Sequence, residues 1–304
     1  MDNLNEEIKT EKSSKSNWIL NIILGVSFLF IISYYIFSAP IRNKDVIIHI
    51  TPNDSLSKIS SVLEGENIIR SPFLLKISVY VFRGDKNIPS GDYLFKKGES
   101  LLGVAWQISR GKHGVDRIRV TFIEGMKNEE MAKLLADKIS SFRKDLFLSD
   151  SRSKQGYLFP DTYFFFPLST TDEILNEITA NFNKKIKSLN EDIKSSGKSL
   201  SDIIIMASII EKEASGKDDI AVISGILWKR IKLGMPLQVD IAPTTYDEAG
   251  LPSAPISNPG LTAIKAALNP TASHYLFYLH DDSGQVHYAV DFSEHRSNIA
   301  RYLK

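Results

Sequence analysis

The sequence predicts an α+β protein: a single N-terminal transmembrane helix, a small βααβ module and a larger mixed α/β domain. Three observations carry this prediction. An uncharged apolar run fills residues 18–37. Short β-branched runs and helical-period segments follow one another after it. Apolar residues make up 43% of the 304 and charged residues 24%, a balance that sustains a packed core.

The apolar run extends from Trp18 to Phe37, with Asn21 as its one amide. Twenty helical residues rise about 30 Å, the depth of the hydrocarbon layer. Trp18 at one end and Tyr34 and Tyr35 at the other suit the two interfaces. The run is long for a cleaved signal, and Pro40 directly after Ser38 and Ala39 makes a poor cleavage site. Lys9, Lys12 and Lys15 precede the span, and Arg42 and Lys44 follow it. This bias places the N-terminus in the cytoplasm and everything after Ala39 outside. The expected layout is a cytoplasmic, disordered tail at 1–17, a membrane helix at 18–38, a module with its connector at 44–115 and a larger domain at 116–304.

Within the module, the β-branched run 46–50 predicts a strand. Leu56, Ile59 and Leu63 recur at helical spacing until Gly65. Ser71 and Pro72 supply the cap and first-turn proline of a second helix. Residues 93–95 return as a strand, and a helix near 101–108 leads out. The βααβ order resembles a LysM-type carbohydrate-binding module; a plain spacer is the other reading. Beyond it, a strand is expected at 117–123 and helices at 128–139, 171–189, 201–213 and 220–233, the last ended by Gly234. Residues 235–260 hold five prolines and two glycines without a period, and predict an ordered functional loop. A hairpin turning at Asp281-Asp282-Ser283-Gly284 and a final helix from Ser293 complete the chain.

Lys and Arg number 37 against 36 Asp and Glu, which gives no electrostatic case for nucleic acid. There is no cysteine, so disulfides, thiol catalysis and thiolate metal sites are excluded. His280 and His287 flank the hairpin turn, where they could face each other, but no third ligand at metal spacing accompanies them. No nucleophile elbow and no glycine-rich phosphate loop is present, and no cofactor is called for.

The sharpest chemical feature is the helix end Ile209-Ile210-Glu211-Lys212-Glu213. At 100° per residue, Ile203, Met206, Ala207 and Ile210 define a buried direction, and Ser208 and Lys212 fall opposite. Glu213 lies roughly 60° from the apolar centre and Glu211 roughly 100°. Glu213 is therefore expected beside a dry pocket, where the charged carboxylate is disfavoured and a proton is held for delivery. The competing reading is a pair of solvated helix-end carboxylates.

Several ordered segments tip the balance. They are Glu124-Gly125-Met126, Gly156-Tyr157-Leu158-Phe159-Pro160-Asp161-Thr162-Tyr163, and Ala207-Ser208-Ile209-Ile210-Glu211-Lys212-Glu213. After these come Gly234-Met235-Pro236-Leu237-Gln238 with Asp240, Gly250-Leu251-Pro252, Pro255-Ile256-Ser257-Asn258-Pro259-Gly260, Asn269-Pro270 and Glu294-His295. With them the chain resembles the YceG-like family of endolytic murein transglycosylases from about Val46 to the C-terminus. The resemblance implies that Glu213 is the acid/base, and that Glu211, Gln238, Asp240, Tyr246, Asn258 and Tyr157 bind substrate. It implies peptidoglycan glycan strands as substrate, strand polymerases as partners and 1,6-anhydro products, with no metal or cofactor. The chain departs from the family in passing from Asp240 to Gly250 in a few residues. It also carries Thr244-Thr245-Tyr246 for Asn-Thr-Tyr, so the groove wall there is expected to differ. A wall-anchoring, non-catalytic glycan-binding protein is the alternative from another class. A lyase of soluble metabolites is a third reading, disfavoured by the tether.

Overall fold

The computed structural model describes residues 2–83, 88–213, 219–239 and 242–303. The chain divides into two compact units, Met1–Asp116 and Arg117–Lys304.

The first unit opens with helix α1 (Asp2–Phe37), so the expectation of a disordered tail is corrected. The polar stretch 2–17 contains neither glycine nor proline, and the helix runs through it without a breaker. Its segment Trp18–Phe37 is long and apolar enough to cross a membrane. Strands β1 (Val46–Ile50) and β2 (Gly91–Phe95) pair antiparallel, with His49 opposite Asp92. Between them lie α2 (Leu56–Gly65) and α3 (Pro72–Arg83), giving the βααβ order. Ser55 caps α2 by accepting from the Lys58 N–H, and Ser71 Oγ accepts from the Leu74 N–H at the start of α3. Ile59, Leu63, Leu75, Val79, Tyr93 and Phe95 form the core with α4 (Leu101–Arg110). The Arg70 guanidinium lies 4.1 Å from the Tyr35 ring centre and donates to the Tyr35 carbonyl and to Ser38 Oγ. Phe37 packs against the module core, so the end of α1 is built into the module.

In the second unit, β3 (Ile118–Thr121) is followed by α5 (Asn128–Lys138) and α6 (Lys144–Ser151). Strand β4 (Thr162–Phe165) pairs antiparallel with β3, so part of the expected 156–163 loop feeds directly into a strand. Helices α7 (Thr171–Lys187), α8 (Asn190–Ser196), α9 (Leu200–Glu213) and α10 (Ile220–Lys232) follow. The loop after α10 contains the single turn α11 (Thr244–Asp247) and one bridge between Pro236 and Ala249. Helix α12 (Leu261–Leu268) packs along α9, and the hairpin β5 (Phe277–His280) and β6 (Val286–Ala289) packs on α13 (Phe292–Tyr302).

Helix α9 is buried on every side from Ile203 to Ile210. The expected wet face at Ser208 is thereby corrected. Its hydroxyl donates to the Ile205 carbonyl at 2.7 Å and accepts from the Ile256 N–H at 3.0 Å. Packing of α12 and of the 255–260 loop covers the flank that a helical wheel assigns to solvent.

Candidate active site

Glu213 ends α9, where the buried helix gives way to a cleft of about 450 Å³. Its Oε2 accepts a hydrogen bond from the Tyr278 hydroxyl of β5 at 3.2 Å. The other walls come from Arg230 of α10, from Leu237, Gln238 and Tyr246 of the following loop, and from β5 and α13. Glu213 is thus a half-buried carboxyl among aromatic and amide side chains, a setting suited to proton exchange with a bound ligand.

The loop residues reach the cleft for a local reason. Gly234 takes a positive φ of 69° and turns the chain out of α10. Gln238 then adopts φ 53°, a conformation held from two directions. Its N–H donates to the Thr245 carbonyl at 2.9 Å, and its Oε1 accepts from Arg230 Nη2 at 2.5 Å. The neighbouring Leu237 and Val239 are buried, which leaves Gln238 exposed toward the cleft with Tyr246.

Glu211 is also half-buried, which corrects its placement on the wetter side of the helix. Its Oε2 accepts from the Gly260 N–H at 2.8 Å, at the start of α12. Burial raises its pKa; the Gly260 bond opposes this, and the charge of nearby Glu124 adds to it. A Cβ at Gly260 would stand 1.8 Å from Glu124 Oε1, so any larger residue there would displace the Glu124 side chain from beside Glu211.

Asn258 has no exposed surface. Its Oδ1 accepts from the Gly156 and Leu158 N–H groups at 2.8 and 3.1 Å. Its Nδ2 donates to the Met126 carbonyl and to Asn128 Oδ1 at 3.0 and 2.9 Å. The amide therefore joins three loops, instead of presenting itself to a sugar. Tyr157 stands edge-on to Phe182 at 5.2 Å and packs against the core. Asp240 lies outside the described residues. Of the residues expected to form the site, the structure brings Glu213, Gln238 and Tyr246 to one cleft. Glu211, Asn258 and Tyr157 stand in the packing around it.

His280 and His287 do not face each other, because His280 pairs with Val286 and His287 with Leu279. Adjacent register positions point to opposite faces of the hairpin. His287 binds Asp281 Oδ2 at 2.7 Å and stacks on Tyr302, while His280 lines the cleft. Among the described residues no group of three or more His, Asp or Glu could hold a metal.

Sequence reasoning missed Tyr278 and Arg230, and it did not place His280 or His295 beside Glu213, yet all four line the cleft. One signal was present. Ile223, Ile226, Leu227 and Arg230 share a helical stripe, so the arginine sits where an apolar residue is expected.

The described fold is that of a crystallised yceG-like protein of Listeria monocytogenes. The two superpose with a TM-score of 0.55 at 22% identity, over 84% of this chain and 99% of that one. A Bacillus subtilis (strain 168) protein named endolytic murein transglycosylase is 26% identical over a 309-position alignment that covers 85% of this chain and 85% of that one. A protein of the same name from Streptococcus pneumoniae serotype 2 is 26% identical over a 213-position alignment that covers 60% of this chain and 39% of that one. The family model described as YceG-like family matches residues 48–244 and 242–301. The chain belongs to the YceG-like family.

Proposed function

We propose that the chain is a membrane-anchored endolytic peptidoglycan transglycosylase in which Glu213 alone is the acid/base. The observation that carries this reading is the Glu213 carboxyl at the mouth of a cleft it shares with Gln238 and Tyr246. The family membership and the names of the curated relatives support the same reading.

One carboxyl suffices if the nucleophile belongs to the substrate. Glu213 protonates the oxygen that leaves the anomeric carbon of N-acetylmuramic acid. It then takes the proton of that sugar's own 6-hydroxyl, whose oxygen closes a 1,6-anhydro ring. An intramolecular hydroxyl already has the proximity that a second carboxylate would otherwise provide for water. Gln238 supplies an amide for sugar hydroxyls or acetamido groups, and Tyr246 an exposed ring for a sugar face.

Residues 18–38 are read as a single-pass anchor with the N-terminus in the cytoplasm and the rest outside. Residues 44–115 are read as a LysM-like module that holds glycan beside the membrane, and 116–304 as the catalytic domain. Nascent strands are then within reach, cleavage would terminate them, and polymerases are the fitting partners.

The test is digestion of purified glycan strands by the full-length protein in detergent, in ¹⁸O-labelled water. Unlabelled 1,6-anhydro ends are expected. Label on new reducing ends would make the chain a hydrolase, and retention on strands without cleavage would make it a binding protein.

A further inference from the structure

Arg230 is 5% exposed, yet no carboxylate pairs with it among the described residues. Its guanidinium stands 5.3 Å from the Phe277 ring centre, and Nη2 donates to Gln238 Oε1. Its Nε is buried and has no hydrogen-bond partner among the described residues. Two further buried nitrogens in the same state, His280 Nε2 and His295 Nδ1, line the same cleft. Burial holds both imidazoles below their ordinary range, and the Arg230 charge pushes His295 the same way. Both rings are then neutral near pH 7 and able to donate one hydrogen bond each.

A guanidinium withdrawn from water without a counter-charge is strongly unfavourable unless an anion completes it. The fork geometry of arginine suits a carboxylate, which accepts two parallel N–H bonds. Tyr246, Phe277 and Tyr278 line the cleft with Arg230, so a carboxylate entering it would meet the guanidinium with less screening than in open water.

We propose that Arg230, with His280 and His295 beside it, is a carboxylate-recognition subsite within the Glu213 cleft. This rests on the transglycosylase reading and adds to it which part of the glycan is read. A strand of alternating N-acetylglucosamine and N-acetylmuramic acid carries carboxylates from two sources. One is the lactyl group, free where the stem peptide has been removed. The other is the stem peptide itself. Either would place the muramyl sugar, and not its neighbour, over Glu213, so the subsite would select the bond that is cut.

The experiment compares native strands with strands whose carboxylates have been converted to neutral amides, using full-length protein in detergent. Wild type should lose about 10–100-fold in kcat/KM on the neutral strands, the worth of a charged hydrogen bond. Arg230→Gln should lose a similar factor on native strands and nothing further on neutral ones, and Arg230→Lys should recover part of the loss. Amidase-stripped strands separate the sources. An Arg230-dependent preference for stripped strands over their amidated form assigns the lactyl carboxylate, and a preference confined to strands that keep their stems assigns the stem peptide. Equal wild-type rates on native and neutral strands, joined by equal rates on stripped strands and their amidated form, would overturn the subsite, as would an undiminished loss on neutral strands in Arg230→Gln. Should Arg230→Gln not fold, the wild-type comparison still decides. If wild type cleaves neither kind of strand, the transglycosylase reading fails. Its retention on the two kinds, which needs no cleavage, then decides the subsite.

Discussion

The Tyr278 hydroxyl donates to Glu213 Oε2 at 3.2 Å and so ties the end of α9 to β5 across 65 residues of chain. The bond points the carboxyl at the helix terminus toward β5. Tyr278→Phe keeps the ring and deletes the donor. It should lower kcat by about 5–50-fold and leave KM within about twofold, because orientation matters most in the transition state. Steady-state kinetics on defined strands would read this, and a change confined to KM would count against an orienting role.

Glu213→Gln preserves volume and cannot exchange a proton. Its kcat should fall by about 10²–10⁴-fold or more, since one group serves both steps. The anhydro-product assay measures it directly, and full activity would return the assignment to a binding protein.

Glu211 answers to pH in the folded chain. Burial, with Glu124 beside it, raises its pKa above the ordinary glutamate value of 4.5. A carboxyl with a raised folded pKa stabilises the fold below its unfolded value, and that contribution is lost as pH rises through the folded value. Glu211→Gln stays neutral throughout. Wild type should therefore lose Tm relative to Glu211→Gln as pH is raised from about 4.5 toward neutrality. A Tm difference constant across that range would remove the argument.

Asn258→Leu tests the junction of three loops. The substitution strips partners from the buried Gly156 and Leu158 N–H groups. It should destabilise the protein by about 2–5 kcal/mol, well beyond an ordinary surface change. Denaturant unfolding gives the value. An unchanged midpoint together with weakened strand binding would restore the sugar-contact reading.

Gly225→Ala tests how α10, the helix that carries Arg230, is seated. A Cβ at Gly225 would stand 1.9 Å from the Thr271 carbonyl oxygen, and Thr271 N–H already donates to the Ala221 carbonyl at 2.9 Å. Backbone cannot yield as a side-chain end can, so a loss of about 1–3 kcal/mol is expected. Thermal unfolding would show it, and wild-type stability would mean that the 271 segment moves freely.

The elements legible in the sequence are those that local chemistry decides. Ser55 and Ser71 cap their helices, Gly234 turns the chain with positive φ, and Asp281 to Gly284 turn the hairpin, because each acts on its own few residues. The apolar run 18–37 and the Glu-Lys-Glu helix end are legible for the same reason. Strand β4 and helices α6, α8 and α12 escaped the reading, being short and lacking a clear period until packed. The site divides in the same way. Glu213 could be singled out on its own helix. The sequence could not say that α12 and the 255–260 loop bury Ser208 and hold Glu211, or that Asn258 spends its amide on Gly156, Leu158, Met126 and Asn128. Nor could it bring Tyr278 to Glu213 or leave the Arg230 Nε, in the same cleft, without a partner among the described residues. These are contacts between segments far apart in the chain. Which polar groups are matched, and which are left to a ligand, is decided only when the packed elements exclude water from them.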